Sequence, residues 1–119
     1  MTSVQLPNYL RANRKRLALV QDEVAFLLGA ETGESVCRHE RFTREPSLAV
    51  ALAYEAIYQK PIRELFAGLY EKIEKEVATL AKTATDRTSL KKTTRHSARK
   101  IQTLTDMAAR LSSKGQSLR

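Results

Sequence analysis

At 119 residues, 42% hydrophobic and 29% charged, the chain is long enough for one small domain plus an appendage. No apolar run approaches the ~20 residues of a membrane span. The net charge of +8 favours a polyanionic partner, nucleic acid before membrane. The lone Cys37 excludes an internal disulfide, and the start, MTSVQLPNYLRANRKR, lacks the apolar core of a secretory signal, so a reducing cytoplasm is expected.

Asn8, after Pro7, is placed to cap a first helix from Tyr9 to about Leu17, with Leu10 and Leu17 facing inward. Arg11, Arg14, Lys15 and Arg16 crowd its other faces. QDEVAFLL predicts a second helix, Gln21 to Leu28, with Val24, Ala25 and Leu28 inside and Gly29 supplying the positive φ that ends it. Phe26 and Leu27 fall off that inner face and are expected to point outward, where the tail, a second subunit or a partner protein could cover them. Thr32 is expected to cap a third helix, Gly33 to about Arg41, with Val36 inside. Pro46-Ser47 opens a fourth, to about Tyr58, with Leu48, Ala51 and Leu52 inside.

Pro61 suits the first position of a fifth helix. Phe66, Leu69/Tyr70, Ile73, Val77 and Leu80 continue at spacings of 3 and 4, which predicts one long helix from Pro61 to about Thr83. Gly68 is expected to weaken it by ~1 kcal/mol relative to Ala. TATDRTSLKKTTRHS, Thr83 to Ser97, reads as a linker. Beyond it, Ile101, Leu104, Ala108 and Leu111 predict a short amphipathic helix, about Ser97 to Ser112. Charge divides the same way. Residues 1–85 hold 12 Lys/Arg against 11 Asp/Glu, a net of +1, while residues 86–119 hold 9 against 2, a net of +7. Composition thus separates a domain, residues 8–83, from a basic tail, residues 84–119.

Two short helices hinged near Gly29, then PSLAVALAYEAIYQKPIRELF, have the order of a helix-turn-helix unit. The joint register of Arg14, Gln21, Ala25, Gly29, Val36, Glu40, Pro46 and Leu65-Phe66 resembles the phage-repressor/Cro-type (XRE) helix-turn-helix family over about residues 9–66. The resemblance implies an all-α, five-helix repressor-like helix-turn-helix domain; with the apolar spacing and composition beyond Phe66, the expected fold adds an extended last helix and a basic, partly helical C-terminal tail. It further implies a sequence-specific regulator of transcription that binds double-stranded DNA, a repressor acting as a homodimer. Gly33, Glu34, Ser35 and Arg38 match the family's base-reading positions. Arg38 suits guanine O6 and N7, and Glu34 suits cytosine N4. Gln21, Thr32, Arg41 and Arg44 are expected at phosphates. Arg14 matches the family position that pairs with Glu40, a structural ion pair between the first and third helices. The stripe of Ile73, Val77 and Leu80 is the expected dimer contact. Departures from the pattern are specific. Gly29 to Glu40 spans eleven steps where ten is commonest, which places an extra residue among Ala30, Glu31 and Thr32. Ala18, Phe42 and Gln59 stand at family glycines, and Val20 stands at a Ser/Thr cap.

No enzyme is expected. His39 and His96 are the only histidines, and Cys37-Arg38-His39 lacks zinc spacing. There is no P-loop and no G-x-G-x-x-G, so neither cofactor nor metal is implied. The alternative function is a protein-interaction module, an antitoxin or adaptor that binds a partner protein through the C-terminal tail or through Phe26 and Leu27.

Overall fold

The computed structural model describes residues 7–29, 31–89 and 95–114. Among them the protein is all-helical, without a strand, and no helix is long and apolar enough to cross a membrane. The chain forms two compact units, the first ending at Tyr70 and the second beginning at Glu71.

The first unit carries α1 (Leu10–Arg16), α2 (Gln21–Leu27), α3 (Gly33–Arg41), α4 (Leu48–Tyr58) and α5 (Ile62–Leu65). Local chemistry sets most of the ends. Asn8 Oδ1 accepts from the Leu10 N–H at 3.0 Å, Thr32 Oγ1 from Ser35 at 3.1 Å, and Ser47 Oγ from Val50 at 3.2 Å, each satisfying an otherwise orphaned helix donor. At α2, Val20 has no capping oxygen, but the Glu23 carboxylate accepts from the Val20 N–H at 2.9 Å. Gly29 ends the helix region with φ of 94°. Leu10, Val24, Ala25, Val36, Tyr54, Tyr58, Leu65 and Phe66 form one buried core. Each large apolar side chain in it contributes ~1.5–3 kcal/mol.

Several expectations about the inner faces change. On α1 the buried partner of Leu10 is Arg14, not Leu17. The helix has ended by Leu17, and Ala18 turns the chain with φ of 62°. On α4, Leu48 is 74% exposed and Leu52 is also exposed, while Tyr54 and Tyr58 are buried and Val50, Ala51 and Ile57 pack beside them. Apart from Glu55, which shares the face of Leu48 and Leu52, the helix has no charged residue, so its apolar residues alone do not single out an inner face; stacking of the two tyrosine rings and the edge contact of Tyr54 with Phe66 do.

The expected long helix from Pro61 is interrupted. Pro61 is the N-cap of α5, and Phe66 leaves helical geometry at φ −116°, ψ 48°. The break is made by the segment ahead of α1. The Tyr9 N–H donates to the Leu65 carbonyl at 2.8 Å, and the Gly68 N–H donates to the Pro7 carbonyl at 3.0 Å. A Cβ on Gly68 would overlap Pro7, so this glycine permits a close approach rather than merely weakening a helix.

Helix α6 (Ala67–Ser89) then extends past the expected end at Thr83, and α7 (Arg95–Lys114) is longer at both ends than expected. The expected division at 83/84 falls within α6. Thr79, Thr83, Thr85 and Thr88 donate their hydroxyl hydrogens to the carbonyls four residues back, which lets a threonine-rich sequence remain helical. Of the rest of the expected linker, residues 90–94 lie outside the described residues and residues 95–97 open α7. In the second unit the small residues Ala78, Ala81 and Ala108 are buried. Lys82, Thr85 and Asp86 of α6 share a groove with Thr105, Ala108, Ala109 and Ser112 of α7. Ile73, Val77 and Leu80 lie on a different face of α6 and are exposed, Leu80 at 66%.

Candidate nucleic-acid interface

Helix α3 has two unlike faces. Val36 and His39 are buried, and His39 Nδ1 lies 2.8 Å from the Tyr54 hydroxyl with the rings edge to face. Burial, more than any neighbouring charge, lowers the His39 pKa; Arg44 acts in the same direction and Glu31 opposes it. The ring is therefore neutral and structural at neutral pH. Burial likewise pushes the Tyr58 phenol up to about 12, and Tyr54 is also raised.

The opposite face presents Glu34, Arg38 and Arg41, spaced i, i+4 and i+7, all exposed. Arg38 Nη2 donates to Glu34 Oε2 at 2.8 Å. Two residues matched to the base-reading face behave otherwise. Ser35 is buried, because its N–H bonds the Thr32 cap and its hydroxyl accepts from Thr32 Oγ1 at 3.2 Å. Its expected place on the exposed face is thereby corrected. Gly33 is half-buried, and a Cβ there would overlap the Asp22 carboxylate. The glycine lets an α2 carboxylate approach the positive end of α3, a favourable placement for an anion. Thr32, Arg41 and Arg44 are exposed. Ala30, one of the three candidate positions for the extra turn residue, lies outside the described residues.

The orientation of α3 is fixed by a buried network. Arg14 Nε donates to Glu40 Oε2 at 2.6 Å and Nη2 donates to Oε1 at 3.1 Å, a two-point pair. Arg14 Nη1 donates to the Leu19 carbonyl at 3.1 Å. Gln21 Nε2 donates to Glu40 Oε1 at 3.1 Å, so part of its expected phosphate-binding capacity is already used inside the protein. The Glu40 hydrogen bond is the main cause raising the Arg14 pKa, against desolvation. Such a pair fixes geometry more than it adds stability, yet removing one partner strands a buried charge and costs ~3–5 kcal/mol. Asn8 adds a link that sequence inspection missed. Its Nδ2 donates to the carbonyls of His39 and Glu40, at 3.2 and 3.3 Å, at the end of α3. Asn8 reads as a local cap; only the fold brings the end of α3 to it.

The α3 C-terminus closes with a left-handed Phe42, φ 56°, where the Thr43 N–H donates to the Arg38 carbonyl and the Phe42 N–H to the His39 carbonyl, both at 3.0 Å. Beside the network lies a cleft of about 730 Å³, lined by Arg11, Arg14, Val20, Gln21, Cys37, Glu40 and Arg41. With Arg14 bonded to Glu40, the guanidinium groups of Arg11 and Arg41 give this cleft a positive lining that suits an oxyanion; in the sequence Arg11 stands only as one member of a basic cluster on the first helix. Among the described residues, no group of three or more His, Cys, Asp or Glu side chains could hold a metal ion.

No protein-family model, curated protein or solved structure matches this chain.

Proposed function

We propose that the protein is a cytoplasmic, sequence-specific regulator of transcription that binds double-stranded DNA, a repressor acting as a dimer. It binds rather than catalyses. The observation that carries this reading is the polarity of α3: a charged outer face of Glu34, Arg38 and Arg41 on a helix whose inner face is locked by Val36, His39 and the Arg14–Glu40 pair. A rigid helix with long polar side chains on one face fits the major groove. Arg38 reads a guanine, Glu34 a cytosine, and Arg11, Arg41 and Arg44 hold phosphates; the Thr32 hydroxyl is engaged in capping α3, donating to Ser35 Oγ. The resemblance to the repressor/Cro-type family supports the reading, and so does the left-handed backbone at Ala18, Phe42 and Gln59, each of which stands at a glycine position of that family.

Selection of bound fragments from random duplexes tests the proposal. An enriched site is expected, and Arg38→Ala should lose ~1–3 kcal/mol on it while relaxing preference at one base pair. An equal loss on random DNA would reduce Arg38 to a phosphate contact. A second reading, an antitoxin or adaptor, is favoured by one observation: Phe26 is 82% exposed, with Leu27 exposed beside it. A stoichiometric second protein in a native pull-down, without an enriched DNA site, would support it.

A further inference from the structure

We propose that Glu34 and Arg38 act as one coupled reader of a G·C-containing step, with Glu34 a positioning residue that aims Arg38 and keeps it off phosphates. The inference rests on the DNA-binding reading above and specifies what that face recognises. Arg38 Nη2 donates to Glu34 Oε2 at 2.8 Å, and the two side chains remain 48% and 73% exposed. The bridge is therefore on the outer face of α3 and open to a ligand, not a core contact.

The guanidinium has five N–H donors arranged as two forks that share Nη2. A single bond from Nη2 to a carboxylate consumes one of its two hydrogens. Whichever hydrogen is used, one complete fork is left, either Nη1 with Nη2 or Nε with Nη2. That fork matches guanine O6 and N7. Glu34 thus holds the plane of the guanidinium without blocking its recognition edge, and its Oε1 stays available to accept from cytosine N4. The pair has no net charge. Arg38 bound in this way is attracted to the DNA backbone less than a free arginine would be, so non-specific binding is lowered more than binding at a guanine. The Thr32 cap and the close approach of Asp22 to Gly33 fix the first turn that carries Glu34.

Glu34→Gln in the intact protein tests this, because it keeps the shape and removes the charge. On duplexes differing from the preferred site only at the Arg38 guanine, discrimination should fall about tenfold. Affinity for random duplex should rise, with a salt dependence steeper by about 0.9 log unit per log unit of salt, the signature of one added phosphate contact. Arg38→Gln should lose the same discrimination, and the double variant no more than either alone. Thermal stability should be nearly unchanged, since both side chains are exposed. Unaltered base discrimination in Glu34→Gln, or additive losses in the double variant, would overturn the coupling while site-specific binding stands. A wild-type protein that prefers no duplex sequence would overturn the DNA-binding reading, and the coupled reader with it.

Discussion

Ala18, Phe42 and Gln59 carry left-handed backbone, at φ of 62°, 56° and 56°, which costs an L-residue roughly 1–2 kcal/mol. Ala18 and Gln59 are exposed, so Ala18→Gly and Gln59→Gly should each raise stability in urea by about 1 kcal/mol. Phe42 is different. Its ring lies 6.4 Å from Phe66, and Phe42→Gly should destabilise because lost packing exceeds the relieved strain. His39 makes a pH prediction. Its folded pKa is lowered below 6.5 by burial, so the unfolded chain binds the proton first. The stability it contributes is fully present above 6.5 and is lost as pH falls through the folded value. The thermal midpoint of the wild type should drop on acidification from neutrality through this range, and His39→Gln should flatten that slope. Equal slopes in the two proteins would remove His39 from the acid response.

Among the helices, α3 and α6 show what was legible in advance and what was not. The start of α3, its inward Val36 and its exposed Arg38 follow from a cap residue and a helical period. The inward turn of Ser35 does not, because it depends on a bond to the capping threonine rather than on polarity. For α6 the sequence shows the apolar stripe but does not mark the alanine face buried in the second unit, since alanine fits any environment. That leaves Ile73, Val77 and Leu80 as an exposed stripe. Replacing Ile73 and Val77 with Asp should convert a dimer into a folded monomer by sedimentation and weaken binding to a near-palindromic site. A wild type that sediments as a monomer at high concentration and on DNA would remove the dimer from the proposal.

For the whole molecule, the dominant quantity is charge. Residues 86–119 carry a net of +7, and α7 has no acidic residue in its first turn, which instead holds Arg95 and His96, with Arg99 and Lys100 following. Basic groups at the positive end of a helix repel its dipole, so that end suits a polyanion. Arg95, Arg99 and Lys100 replaced together by Gln should flatten the salt dependence of DNA binding by about 0.9 log unit per lost contact and leave the preferred sequence unchanged. An unchanged slope would assign the second unit to assembly. Point substitutions serve better here than truncation after Thr85. A cut there would shorten α6 and remove Ala108 from the groove it shares with α6 residues.

The helical class, the caps at Asn8 and Thr32, the turn at Gly29 and the uneven charge were all readable from the chain alone, because each rests on residues within a few positions of one another. The inner face of α4, the exposure of Leu17, the break at Phe66 and the reach of Asn8 to α3 arose only in the folded protein. In each case, residues far apart in sequence compete for the same buried volume or the same backbone hydrogen bond. A helix with apolar residues around most of its circumference, or a backbone carbonyl open to more than one donor, has little local reason to prefer one outcome.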